Sequence, residues 1–349
     1  MATRPSIFEV ARQSNCSIAT VSNVLNNKGR VSKEKRKKIL QVVAKLGYQV
    51  NSVGRNLRIR RTETFGLLFY PSCAEIFKNP FYAEVMQGLE AQLTRVGYHL
   101  LLAGYETSTT NSPIPNFLLS GKVDGMILLG RFPSEIIQVF HERKTPLLLL
   151  DANVEWPVDS IVSDGFSAGL QIVKHLADKG HRRIVMMAYE WEDYNIDLRI
   201  QGFLSGLQEQ GLPGDEKSVI RHPGDDQSVT RQGTSHDAMY QSLKERLKGP
   251  NAPTALVAVN DTLAIDMVHR LLRDGIRVPE QLSVVGYDDD EMAQNLVPAL
   301  TTIRVNKQEL GRVGAELILK RATQPKTPVS KLRLPVELVE RGSVADLRR

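Results

Sequence analysis

Over the first sixty positions apolar residues recur in short runs at helical spacing; further along they gather into unbroken blocks. Ile7, Val10 and Ala11 fall at i, i+3 and i+4, and Ser6 and Glu9 have the spacing of a capping box, which predicts a helix ending near Ser14. Ser17 can cap a second helix with Val21, Val24 and Leu25 inward, and a third is expected from after Ser32 to about Leu46. Its inward face is read as Ile39, Leu40, Val43 and Leu46, with Gly47 at the C-terminal cap. Three short helices around one apolar cluster make a helix-turn-helix unit.

After the basic linker Arg58 to Arg61 the pattern changes. Phe65 to Tyr70, Tyr98 to Ala103, Gly125 to Leu129 and Pro146 to Leu150 read as strands buried on both faces, with a helix from Phe81 to Val96 closing at Gly97. Strands at Arg183 to Ala188, Thr254 to Val259 and Leu282 to Gly286 alternate with helices over 164–179, 196–210 and 261–274. The expected fold is an all-α helix-turn-helix domain followed by an α/β domain of two parallel-sheet lobes, dividing near residue 162. The boundaries are drawn at 1–50, 51–61 for a hinge helix and linker, and 62–349 for a two-lobed effector-binding and dimerisation domain.

Charge sharpens this division. Residues 1–61 hold 14 Lys or Arg against two acids, whereas the rest hold 31 against 37. A basic module on a mildly acidic body fits nucleic-acid binding, because cations that meet phosphate release its condensed counterions. A solvated Lys/Arg face or a protein-binding three-helix module fits the same charge and periodicity. No window approaches the roughly 18 apolar residues of a membrane span, and no signal-peptide pattern opens the chain, so a cytoplasmic location is expected. Cys16 and Cys73 have no ligand-type spacing, and neither a metal nor a cofactor is expected.

A helix-turn-helix lays its second helix in the major groove. Ile18 and Ala19 are the expected contacts to thymine methyls, and Asn23 the expected bidentate partner of adenine. Ser17, Thr20, Ser22, Asn26 and Tyr48 are suited to phosphate, which fixes register without reading sequence.

The runs Ile7-Phe8-Glu9-Val10-Ala11, Ser17 through Asn26, Leu46-Gly47-Tyr48 and Asn51 through Leu57 resemble the DNA-binding module of the LacI/GalR regulators. The resemblance implies DNA binding and a hinge helix over 51–58 in the minor groove, with Asn51 among the phosphate ligands and Leu57 as the wedge at the operator centre. Two positions depart from the family pattern. Asn23 stands where Arg or His is common, implying a different half-site, and Gly54 where Ala is common, costing the hinge helix about 1 kcal/mol. The hinge is therefore expected to fold only on DNA.

The likeness continues through Asn79-Pro80-Phe81, Val123-Asp124-Gly125, Lys179 to Ile184, Val259-Asn260-Asp261, Ser283 to Asp289 and Leu300 to Ile303. It implies a type I periplasmic-binding-protein-like pair of lobes crossed three times by the chain. Residues 306–321 are expected back in the N-terminal lobe, and 332–341 in the other. The family's polar effector positions fall on Asp151, Asp164, Arg199, Asn260 and Asp288, which suit a polyol or sugar. Tyr70, Phe81, Tyr82, Phe166 and Trp191 are candidates for apolar ring faces or for ordinary packing. Gly224-Asp225-Asp226 carries an acid where sugar-binding relatives place an aromatic ring, so a purine or a phosphorylated sugar stays open beside the sugar.

Two other classes compete. An enzyme would need a nucleophile elbow, a phosphate loop or a metal spacing, and none is found. A transport-type binding protein would need an export signal and would have no use for the N-terminal module. The expected protein is a non-enzymatic repressor of carbohydrate-related genes, a homodimer on a pseudopalindromic operator, with no membrane partner. The chain stops too soon after its last strand for a Leu-heptad helix, and the helix over 81–96 is a candidate dimer face.

Overall fold

The computed structural model describes residues 5–25, 29, 31–48, 61–69, 79–104, 121–190, 192–222 and 232–348, without the side chains of 232–235. The chain divides into two compact units, residues 1–62 and 63–349. The expected hinge, including Asn51, Gly54 and Leu57, lies outside the described residues, as do Asn26, Tyr70, Trp191 and Gly224 to Asp226.

The first unit contains α1 (Ile7–Ser14), α2 (Ile18–Leu25) and α3 (Lys33–Leu46). Ser6 Oγ accepts the Glu9 N–H, and Asn15 in the left-handed region closes α1. The expected capping box forms only in half: no return bond from Glu9 reaches Ser6 among the described residues, and the Glu9 carboxylate faces Arg12 at 3.6 Å instead. Ser32 caps α3 at its start and Gly47, at φ 60°, at its end. Val10, Ala11, Val21, Val24 and Ile39 form the core, with Val42, Val43, Leu46 and Tyr48 packed on it. Leu40, expected inward, is 48% exposed. Successive helical residues stand about 100° apart, so a stripe centred on 39, 43 and 46 leaves 40 in solvent.

The second unit runs β1 (Thr64–Phe69), α4 (Pro80–Arg95), β2 (His99–Gly104), β3 (Gly125–Leu129), α5 (Ser134–Glu142), β4 (Leu147–Leu150), β5 (Asp159–Ser163), α6 (Gly165–Asp178), β6 (Ile184–Tyr189), α7 (Tyr194–Glu209), β7 (Val219–His222), α8 (Gln232–Lys248), β8 (Ala255–Ala258), α9 (Asp261–Arg273), β9 (Ser283–Val285), α10 (Glu291–Asn295), β10 (Thr302–Arg304), α11 (Lys307–Thr323), β11 (Lys331–Leu334) and β12 (Glu337–Val339). The N-terminal lobe is a parallel six-stranded sheet ordered β11-β5-β4-β3-β1-β2, and the C-terminal lobe a parallel four-stranded sheet ordered β7-β6-β8-β9.

The leucine-rich blocks follow from burial on both sheet faces. Phe65, Leu67, Ile127, Leu129, Leu148 and Leu150 enter one core cluster, while Leu68, Met126, Leu128, Leu147 and Leu149 enter the other with Phe140 of α5. Alternate residues thus serve opposite faces, and every one must be apolar.

The return of 307–323 to the N-terminal lobe is as expected: α11 packs on α4 and on β3, β4 and β5. The expected tail needs correction. β11 pairs with β5 at the edge of the N-terminal sheet, and the other lobe is joined only from β12 onward, which runs antiparallel to β10. Arg321 steers the crossing: its guanidinium holds both Asp159 oxygens at 2.6 and 2.8 Å, beside the start of β11.

Candidate functional site

On α2 the base-reading candidates Ile18, Ala19 and Asn23 are all exposed, and Ile18 shows 41% of its surface. Their neighbours Val21 and Val24 are buried, so the core fixes the helix while leaving this face open. Ser17 is committed locally: its Oγ accepts the Thr20 N–H at 3.1 Å and lies 2.8 Å from the Thr20 hydroxyl. Thr20, Ser22 and Tyr48 are half-buried. Asn23 lies against Gly29, where an added Cβ would stand 3.3 Å from its amide nitrogen.

In the second unit, buried polar groups converge where the two lobes meet. Asp151 follows β4 with φ 58°, and Asp288 follows the β9 region with φ 119°. Such left-handed backbone in non-glycine residues is strained by about 1–3 kcal/mol and clusters at binding sites. Asn195 of α7 donates its amide to both the main-chain carbonyl and the Oδ1 of Asp151, at 2.9 and 3.0 Å. One helical turn on, Arg199 donates Nη1 to the Val259 carbonyl at 2.6 Å, places Nη2 3.9 Å from Asp288, and lies 3.6 Å over the Tyr287 ring. Tyr287 in turn pairs its hydroxyl with Ser163 across the lobes at 2.9 Å. Among the described residues, Asn195 Oδ1 and Arg199 Nε are buried with no partner.

Burial governs the electrostatics. It pushes the Asp151 carboxyl up to about 7, with the Arg199 guanidinium only partly offsetting the loss of water. Asp288 is driven well above the usual carboxylate range for the same reason, again partly offset by Arg199. The Tyr82 hydroxyl is raised by burial and then by Asp151, Asp193 and Asp288. The folded-state pKa of Asp151 lies above its unfolded value of about 4. The native protein therefore holds an extra proton between about pH 4 and 7, and this group's stabilisation is lost as pH rises through that window. Asp151→Asn is expected to raise the chemical denaturation midpoint at pH 8 and to change it little at pH 4, because the amide stays neutral.

The structure brings Asp151, Arg199, Asp288 and Tyr82 together. Asp164 and Asn260 are helix caps, their Oδ1 atoms accepting the Ser167 and Leu263 N–H groups at 3.2 and 2.9 Å. Phe166 is half-buried in the first turn of α6, and Phe81 is buried in the N-terminal lobe core, edge-on to Tyr82 at 5.3 Å. Sequence reasoning missed Asn195 and Tyr287. The i, i+4 spacing of Asn195 to Arg199 was the available signal, since it puts both on one helix face. It also missed a second buried cluster, in which Lys307 at the start of α11 meets Asp290 at 3.0 Å, Glu84 of α4 at 3.3 Å and the Asp289 carbonyl at 3.2 Å. Among the described residues no cluster of three or more His, Cys, Asp or Glu is arranged to hold a metal, and no helix is long and apolar enough to cross a membrane.

Comparison with known proteins covers both units. A family model described as bacterial regulatory proteins, lacI family, matches residues 6–51, and one described as a periplasmic binding protein-like domain matches residues 173–344. The ribose operon repressor of Haemophilus influenzae is 30% identical over 346 residues, covering 97% of this chain and 98% of that protein. The HTH-type transcriptional repressor PurR of Photobacterium profundum is also 30% identical over 346 residues, covering 98% and 99%. A solved complex of the transcriptional regulator CelR with cellobiose superposes with a TM-score of 0.72 at 28% identity, covering 97% of this chain and all of that one.

Proposed function

Because this chain belongs to the lacI family of bacterial regulatory proteins, we propose that it represses carbohydrate-related genes, holding an operator through residues 1–50 and releasing it when a sugar occupies the cleft of residues 62–349. The observation that carries the reading is that one chain pairs an exposed Ile18-Ala19-Asn23 face with a strained, buried cluster of Asp151, Asn195, Arg199 and Asp288. The first arrangement suits base edges, the second a small polar ligand. Relatives named as repressors and the CelR complex with cellobiose support a binding role without catalysis, acting in the cytoplasm. Two copies would present two recognition helices to a pseudopalindrome. A coupling of about 1–3 kcal/mol between cleft and operator is typical of such regulators.

The test is selection of bound sequences from random duplex DNA with the full-length protein at fixed salt. A palindrome with a flexible central step is the expected product; binding that tracks salt alone rejects operator reading. On the selected operator, Asn23→Ala is expected to flatten preference at one base pair per half-site, by about 1–3 kcal/mol of discrimination. Tyr48→Phe is expected to weaken all sequences alike.

A further inference from the structure

The buried Lys307 cluster lies outside both arrangements that carry the proposed function, yet it joins the two lobes. We propose that Lys307 is a coupling residue: a hinge-side tie between Glu84 of the N-terminal lobe and the 288–290 loop of the C-terminal lobe, through which the lobe arrangement sets operator affinity. This rests on the reading of the second unit as the controller of the first, and it adds the residue that carries the control.

Three consecutive acids, Asp288, Asp289 and Asp290, are each met by a cation from a different element: Arg199 of α7, Arg304 of β10 and Lys307 of α11. The first two cations belong to the C-terminal lobe, whereas Lys307 opens the helix that has crossed back to the other lobe. Its ammonium lies 3.0 Å from Asp290 and 3.3 Å from Glu84, and it donates to the Asp289 carbonyl at 3.2 Å. Asp290 Oδ1 takes no hydrogen bond among the described residues, so its contact with Lys307 is an ion pair governed by distance and not by direction. Burial disfavours the Lys307 ammonium, but Asp290, then Glu84 and Asp288, outweigh it and hold its pKa above the ordinary lysine value. A charge this enclosed, only 2% exposed, is left uncompensated when a partner moves away.

Both ends of the tie are anchored. On one side α11 is locked into α4 by backbone contacts, Gly88 with Gln308 and Gly311 with Val85. On the other, the Asp290 N–H donates to Asp261 Oδ2 at 2.8 Å, and Asp261 Oδ1 accepts the Thr302 hydroxyl at 2.6 Å. Each end also lies two residues from the cleft: Glu84 follows Tyr82 on α4, and Asp290 follows Asp288. A group that displaces Asp288 therefore pulls on Lys307 and, through Glu84, on α4. Packed interfaces of this kind hold one arrangement or another and do not deform gradually.

Hydrogen exchange of the full-length protein, read over residues 286–296, tests the tie without DNA or effector. Among the described residues, the bonds of Glu84 reach that segment only through Lys307. Glu84 is half-exposed, so Glu84→Gln keeps the fold. It is expected to speed exchange over 286–296 by about fivefold or more, and Glu90→Gln on the same helix to leave it unchanged. In a Lys307→Met background Glu84→Gln is expected to add nothing, the signature of a shared interaction. On the operator selected from random DNA, Glu84→Gln and Lys307→Met are expected to shift affinity in the same direction by about fivefold or more, again without adding. Unchanged exchange over 286–296 in Glu84→Gln, or effects of the two substitutions that multiply, overturns the tie while the regulator reading stands. Coupled exchange with operator affinity within about twofold of wild type overturns the control of DNA by Lys307. If the wild type selects no operator, the regulator reading fails and the control of DNA with it, while exchange still decides the tie. Where Lys307→Met does not fold, Glu84→Gln against Glu90→Gln decides.

Discussion

Arg199→Leu is expected to leave operator binding intact and to abolish the response to effector, with at least a hundredfold loss of effector affinity. Arg199 is the cation that offsets the burial of both Asp151 and Asp288, and it also holds the Val259 carbonyl and the Tyr287 ring. Removing one partner from such a buried set typically costs about 3–5 kcal/mol, since the other charges remain uncompensated. Burial raises the pKa of both carboxyls, that of Asp151 to about 7, so at pH 5 they favour the protonated form and the loss should be smaller than at pH 8. Urea denaturation at those two pH values, with operator anisotropy on the same samples, measures both effects. Arg199→Lys should rescue little, because an ammonium lacks Nε and the planar fork that spans Val259 and Asp288. A variant that still responds to effector would remove the cluster from the effector site.

The second large effect is expected at a helix crossing with no ligand role. α4 and α11 touch backbone to backbone: a Cβ on Gly311 would stand 1.9 Å from the Val85 carbonyl oxygen, and one on Gly88 1.9 Å from that of Gln308. The crossing of α6 with α7 is built the same way, with Gly169 against Phe203 N at 2.3 Å and Gly202 against Phe166 O at 2.1 Å. Backbone cannot rotate aside as a side chain can, so a single added methyl must part the helices. Gly311→Ala is therefore expected to destabilise the second unit by about 3 kcal/mol, at the upper end for overpacking. In a unit of this size that is a fall of roughly 5 °C in Tm, readable by scanning calorimetry. Gly249→Ala is the control: its nearest neighbour would be 3.4 Å away, and little change is expected. Equal Tm values for the two variants would show that α11 can slide on α4.

These glycines mark the limit of what the chain discloses before it folds. Strands β1, β3 and β4 were legible because burial on two faces demands unbroken apolar runs, and α1 and α3 because Ser6 and Ser32 announce their starts. Gly88 and Gly311 carry no such signal, since their meaning lies in a partner more than two hundred residues away. β11, Lys-Leu-Arg-Leu, is an exposed edge strand whose alternation resembles any polar connection, and β12 is only three residues long. The site divided along similar lines. Asp151, Arg199 and Asp288, which the family resemblance named, are gathered by the structure into one cluster. Asn195 becomes visible only through its two bonds to Asp151, and Lys307 only once α4, α11 and the loop after β9 converge on it. Leu40 was misjudged because one residue of error on a helix is a turn of 100°.

The placement of α11 and β11 has a consequence for synthesis. The N-terminal lobe takes its strands β1 to β5 from the first half of the chain, yet its edge strand and the helix locked into α4 come from residues 307–334. While the ribosome is still making the second lobe, the first has emerged but lacks the helix that covers one face of β3, β4 and β5. For those seconds a bare leucine-rich sheet with an open edge at β5 faces the cytosol, the kind of surface that recruits chaperones or aggregates. Expression yield should therefore respond to translation speed through residues 165–306 more than to changes that stabilise the finished protein.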